Sequence, residues 1–169
     1  MDLNEIKNSL NSNSNLADIK DCLMELIYLF NSKFPNVDLA NLNERLKTLR
    51  IVKGSKFLVK NSSHYNPTTN ELLINLSKIN DNDCKHILMR ELLNIITAKE
   101  YFTGFNKDNA YAALNIGYTE RLTNFLVGNE TESEYEDEIV ASNLLEKIIG
   151  EDKMFKAYFT NDANLIFGN

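Results

Sequence analysis

The chain has 169 residues, a formal net charge of −6 at neutral pH, 43% apolar residues and 25% charged residues. Those proportions exclude a disordered or membrane-embedded chain and point to one globular domain over residues 1–169, large enough to bury roughly 70% of its unfolded surface. The acidic balance also argues against nucleic acid as a partner, because that affinity comes largely from Lys and Arg neutralising phosphates.

The opening residues Met1-Asp2-Leu3-Asn4-Glu5 lack a cationic stretch followed by an apolar one, and no run of about 18 apolar residues occurs. Neither export nor membrane spanning is expected, and the location read from this is cytoplasmic. Cys22 and Cys84 show no C-x-x-C spacing and no His at metal spacing, so both are expected to be reduced core thiols. The 25 Asn residues read as lineage composition and not as chemistry.

Residues 1–14, rich in Asn and Ser, form a polar lead-in or a frayed helix. From Asn15, a plausible N-cap, the apolar positions Ile19, Cys22, Leu23, Leu26, Ile27 and Phe30 recur at three and four. That spacing predicts an amphipathic helix to about residue 33, ended by Pro35. A shorter helix follows with Leu39, Leu42 and Leu46 on one side and Asp38 at its cap. Between Ile51 and Leu76 the texture turns strand-like, with short apolar runs at Ile51-Val52, Phe57-Leu58-Val59 and Leu72 to Leu76 separated by turn chemistry.

After Asp81-Asn82-Asp83 a helix is predicted to about residue 99, and another contains Asn115 to Leu126. The acidic run Glu130 to Glu138 lacks the alternation and central Gly of a calcium loop. It reads as a solvated loop entering a helix, where acids suit the positive end of the helix dipole. Ile139, Val140, Leu144 and Ile148 make that last long helix amphipathic, Gly150 stops it, and a short helix spans about Lys153 to Phe159.

The segment most informative about chemistry is Cys84-Lys85-His86-Ile87-Leu88-Met89-Arg90-Glu91-Leu92-Leu93-Asn94. On a helix, Glu91 falls at the centre of the stripe made by Cys84, Ile87, Leu88 and Ile95, with Arg90 and Asn94 one turn apart on its flank. A carboxylate there is costly unless paired or hydrogen-bonded. A buried ion pair or a helix-edge carboxylate explains it blandly. The spacing offers a sharper reading: with His at 90 and 94 the segment would be H-E-x-x-H, two zinc-holding imidazoles with the Glu as general base.

On these residues the chain resembles the gluzincin zinc metallopeptidases. Their third ligand is a Glu on a second helix, within Asn-Glu-Gly or Asn-Glu-Ala and followed four positions on by an acidic residue. Leu114-Asn115-Ile116-Gly117-Tyr118-Thr119-Glu120 aligns with that pattern, and Tyr65 to Asn75 is similar to the turn and edge strand ahead of the active helix in bacterial members. The resemblance covers about residues 55–160. It implies vestigial ligand positions at Arg90, Asn94 and Ile116, a vestigial general base at Glu91, and a second-shell acid at Glu120.

Arg cannot deprotonate to ligate a cation and Ile offers no ligand atom, so no metal and no cofactor is expected. His86 and His64 read as surface residues, the latter in a strand-linking turn, and a relocated zinc site on both is not expected. Arg90, held by Glu120 and Glu91, would replace the metal electrostatically. The expected fold class is α+β, predominantly helical, with a small sheet beside the two motif helices, and the resemblance implies a zincin-like arrangement.

By analogy of fold alone, the implied function is a catalytically inactive protein holding a peptide or protein segment along an exposed edge strand. Two other readings stay open. One is a metal-independent enzyme using Glu91 as base, with Tyr118 or Arg90 steadying the substrate. The other is a plain helical interaction domain.

Overall fold

The computed structural model describes residues 2–54, 63–75, 84–107, 110–128 and 135–168. Over these residues the architecture is α+β and predominantly helical. Helices α1 (Leu3–Ser12), α2 (Lys20–Lys33) and α3 (Ala40–Leu46) come first. Strands β1 (Arg50–Gly54), β2 (Ser63–Asn66) and β3 (Glu71–Asn75) follow, and then α4 (Cys84–Ile96), α5 (Ala112–Val127), α6 (Glu136–Ile149), α7 (Glu151–Thr160) and α8 (Asn164–Phe167).

The polar start is an ordered helix. Ile6 and Leu10, one turn apart, are both in the core, and Asp2 caps the helix by accepting from the Asn4 amide at 2.9 Å. Asn15 is not the cap of the second helix. Asn13 caps a short 3-10 turn over Ser14–Leu16, and α2 begins only at Lys20. α2 buries Leu23, Leu26, Ile27 and Phe30 on the face its period of three and four predicts. Asp38 accepts from the Ala40 amide at 3.0 Å from one position ahead of the N-cap of α3, which is Leu39 and not Asp38.

β3 is the central strand, with β1 parallel on one side and β2 antiparallel on the other. The run Phe57-Leu58-Val59, expected as a strand, lies outside the described residues, as do Asp81-Asn82-Asp83. β2 forms from Ser63-His64-Tyr65-Asn66, which has no apolar run. Tyr65 lies opposite Leu72, and the connecting turn closes at Asn70 with φ of 54°, a left-handed conformation Asn tolerates better than most residues.

Asparagine side chains hold several chain ends together, which corrects the reading of their abundance as composition alone. Asn13 donates to the carbonyls of Leu46 and Leu49 at 2.8 and 2.9 Å, satisfying the end of α3. The Asn41 amide reaches the carbonyls of Ile95, Ile96 and Ala98 at the end of α4. Asn161, itself left-handed at φ 58°, donates to Thr97 and Gly104. These bonds satisfy carbonyls at helix ends and in loops, where the helical ladder supplies no donor.

α5 and α6 approach so closely at Gly117 that a Cβ there would lie 1.9 Å from the Glu138 carbonyl oxygen. That contact, together with an ion pair between Arg121 and Glu146, sets how α6 is turned. Ser142 and Glu146 face inward, with Leu145 and Ile149 packed on the edge of the core. The apolar stripe read from the sequence faces solvent instead, with Val140 and Leu144 each 57% exposed and Ile148 81%. Cys22 and Cys84 are unpaired and only partly buried, at the margin of the core. Among the described residues no helix is long and apolar enough to cross a membrane.

Candidate functional site

Three elements bring the motif residues together. α4 carries His86, Arg90, Glu91 and Asn94, α5 carries Asn115, Ile116, Thr119 and Glu120, and β2 lies along α4 as the edge of the sheet. Arg90, Glu91 and Glu120 are 5%, 2% and 1% exposed, so three formal charges are withdrawn from water together. Such a cluster is tolerated only when every member is paired and hydrogen-bonded.

The pairing is nearly complete. Arg90 donates through Nη1 to Glu120 Oε1 at 2.8 Å, through Nη2 to Ser63 Oγ at 2.8 Å and through Nε to Glu91 Oε1 at 3.4 Å. Its guanidinium also lies 5.5 Å from the ring centre of Tyr135, just ahead of α6. Glu91 accepts on Oε1 from Ser63 Oγ at 2.5 Å as well as from Arg90, and on Oε2 from the Tyr65 amide and from Asn94 Nδ2, both at 3.1 Å. A carboxylate offers about four lone-pair sites, and four donors occupy them.

Burial works against ionisation of Glu120, but the His86 hydrogen bond and the Arg90 charge and hydrogen bond outweigh it and hold the carboxyl below its ordinary range. Burial likewise works against the charged form of Arg90, and Glu91 and Glu120 outweigh it, keeping the guanidinium above its usual value. Burial raises the Tyr65 phenol, though Arg45 lies beside it. Arg45 Nη1 donates to the Tyr65 hydroxyl at 2.7 Å and to the Pro67 carbonyl at 2.9 Å, and Tyr65 donates in turn to Asn70 Oδ1 at 2.8 Å. These bonds tie β2 and its turn to α3, while Ser63 and the Tyr65 amide tie it to Glu91 of α4.

His86 is buried at 6% exposure, which corrects its reading as a surface residue. It sits one turn before Arg90 on the side facing α5. Its Nε2 lies 2.9 Å from Glu120 Oε2 and its Nδ1 lies 3.1 Å from the Gly128 carbonyl. Both neighbours are acceptors, so both contacts are satisfied together by the doubly protonated ring.

Beside this network is a cleft of about 200 Å³. β2 forms one wall, and α5 forms the other with Ala112, Asn115, Ile116 and Thr119. Ile116 lines the cleft and Asn94 edges it, so the three positions aligned with ligands lie around one space. Asn115 shapes a further wall. Its Oδ1 accepts from the Phe105 amide at 3.2 Å and its Nδ2 donates to Thr103 Oγ1 at 3.3 Å. Asn106 also lines the cleft, and its Oδ1 is buried without a hydrogen-bond partner among the described residues.

No family model matches this chain, and it matches no curated protein or solved structure. The chemistry of the site therefore rests on its own geometry. Among the described residues no group of three His, Cys, Asp or Glu is arranged to hold a metal ion.

Two sequence expectations need correction. Tyr118, proposed to steady a substrate, is fully buried and stacks among Phe105 and Tyr158 at 5.7 and 5.2 Å, away from the cleft lining. His64 is on strand β2, exposed, and not in a turn. Ser63, Thr119 and Tyr135 were not singled out by sequence reasoning. Only Tyr65, two positions after Ser63, carried a signal, through the resemblance to an edge strand.

Proposed function

We propose that this chain is a catalytically inactive metallopeptidase-like protein that works as a peptide- or protein-binding module. The observation that carries the reading is the contrast between the closed network and the open cleft beside it. Arg90 lies between Glu91 and Glu120, where the resemblance would place a zinc-bound imidazole, and these three side chains spend their bonding on one another, on Ser63 and on β2. What remains open is a cleft running along an edge strand, into whose floor the paired Arg90 and Glu91 reach and whose walls carry neutral amides, hydroxyls, Ala112 and Ile116. Such a surface suits an extended peptide, whose backbone groups pair with an edge and with side-chain amides. The cytoplasmic location belongs to the same reading and is supported by the two free thiols.

The reading of Glu91 as a metal-independent general base is disfavoured by its surroundings. All four of its acceptor positions are occupied, by Ser63, Arg90, Tyr65 and Asn94, so no lone pair is directed at the cleft to take a proton.

The test is a titration of the labelled protein with a mixture of uncharged extended peptides of about six residues, each spanning roughly 20 Å at about 3.3 Å per residue. Amide shifts are followed at Tyr65, Asn94 and Asn106. Shifts confined to these positions, and abolished by Ala112→Trp filling the cleft, are expected. Shifts elsewhere, or none, would overturn the proposal.

A further inference from the structure

The outward face of α6 inverts the usual arrangement, in which a surface helix buries its apolar stripe. Val140, Leu144 and Ile148, at i, i+4 and i+8, form one continuous apolar line. The side turned inward carries Ser142 and Glu146, whose Oγ and Oε2 are buried without a hydrogen-bond partner among the described residues. Gly117 and the Arg121–Glu146 pair hold the helix in this orientation, so the stripe is presented by the fold itself.

The charges around the stripe identify what suits it. Glu136, Asp137 and Glu138 occupy the first turn of α6, and Glu151 and Asp152 begin α7 directly beyond its other end. The basic residue within α6 is Lys147. A second copy of the chain is a poor occupant. A parallel pairing sets Glu136, Asp137 and Glu138 of one copy beside their own images, and the net charge of −6 opposes self-association in any register. An anionic lipid surface meets the same repulsion.

We infer that α6 is a docking surface for a basic amphipathic helix of a protein partner. The partner's apolar stripe covers Val140, Leu144 and Ile148, and its flanking Lys or Arg residues meet the acids of the first turn of α6. Helix-on-helix docking of this kind is read from anchors at i, i+4 and i+8, and like-charge contact excludes acidic competitors. This inference stands apart from the peptide reading of the cleft, because it uses none of the cleft residues.

The test uses the full chain and a synthetic helical peptide of about 16 residues, long enough to run the length of α6 at about 1.5 Å rise per residue. The peptide carries Leu at i, i+4, i+8 and i+12 with Lys on both flanks. Controls are a scrambled peptide of the same composition and a version with Glu in place of Lys. The expected result is binding by fluorescence anisotropy to the patterned Lys peptide, weakened at least about tenfold by Leu144→Ser and weakened further by salt. Ala112→Trp should leave it unchanged, which separates this surface from the cleft. Because Leu144 is exposed, the variant's thermal melt should match the parent's and confirm the fold. Equal binding of the scrambled peptide, or indifference to Leu144→Ser, would overturn the inference. So would sedimentation showing dimers of the natural chain that Leu144→Glu dissolves, since the occupant would then be a second copy.

Discussion

Replacing Arg90 with Met keeps an unbranched apolar stem, shorter than the Arg side chain, and removes its charge and all its donors. Glu120 then keeps its contact with His86, and Glu91 keeps Ser63, the Tyr65 amide and Asn94. Removing one partner of a buried ion pair typically costs about 3–5 kcal/mol. The retained donors place this case near the lower end, at about 3 kcal/mol. For a chain of this size, roughly 2–4 °C of Tm is lost per kcal/mol, so the melt should fall by about 6–12 °C, and urea titration should show a shifted midpoint with an unchanged slope. The double variant Arg90→Met with Glu120→Gln removes the stranded charge as well and should be more stable than Arg90→Met alone. Lys at 90 should lie between Arg and Met, because an ammonium cannot fork between Glu120 and Ser63. A loss under about 0.5 kcal/mol for Arg90→Met would show that the cluster contributes no net cohesion and refute the argument.

Two further outcomes follow from the same geometry. The variant Arg90→His, Asn94→His, Ile116→Glu should bind one zinc ion in a calorimetric titration while the natural chain binds none tightly. A folded variant that does not bind would remove the main support for the metallopeptidase-like reading. The depressed Glu120 carboxyl binds its proton less readily folded than unfolded. Its contribution to stability is present above its ordinary value of 4.5 and is lost as pH falls below it. Glu120→Gln should flatten the decline in stability with acid below about pH 4.5, and parallel declines in both proteins would refute that assignment.

α2 was legible from its period of three and four because it buries one face against the core, whereas α4 is buried nearly all round, so its apolar stripe marks only part of what it buries. The same period at α6 identified a helix and misjudged its orientation. Period reports which residues share a face, while the neighbour that face meets is decided by a close approach such as that at Gly117. β2 was invisible as a strand because Ser63 and Tyr65 are fixed by Arg90, Glu91 and Arg45, all distant in sequence. The placement of Arg90 and Glu91 on a helix was legible from spacing, and its facing Glu120 was implied only by the resemblance. The part played by His86 was not, since an i, i−4 relation to Arg90 gains meaning only once α5 is known to face both. In the same way, an Asn in a loop announces a cap for its own segment, and nothing local shows that Asn41 serves a helix end more than fifty positions away.

The network around Arg90 also constrains how this sequence can change. His86, Arg90, Glu91, Glu120 and Ser63 depend on one another, so altering any one strands a buried partner, and only paired exchanges pass through stable proteins. A population drifting by single substitutions would therefore find these positions harder to vary than their distance from any demonstrated activity suggests. Invariance here among future relatives would record interlocked folding constraints before it recorded a ligand.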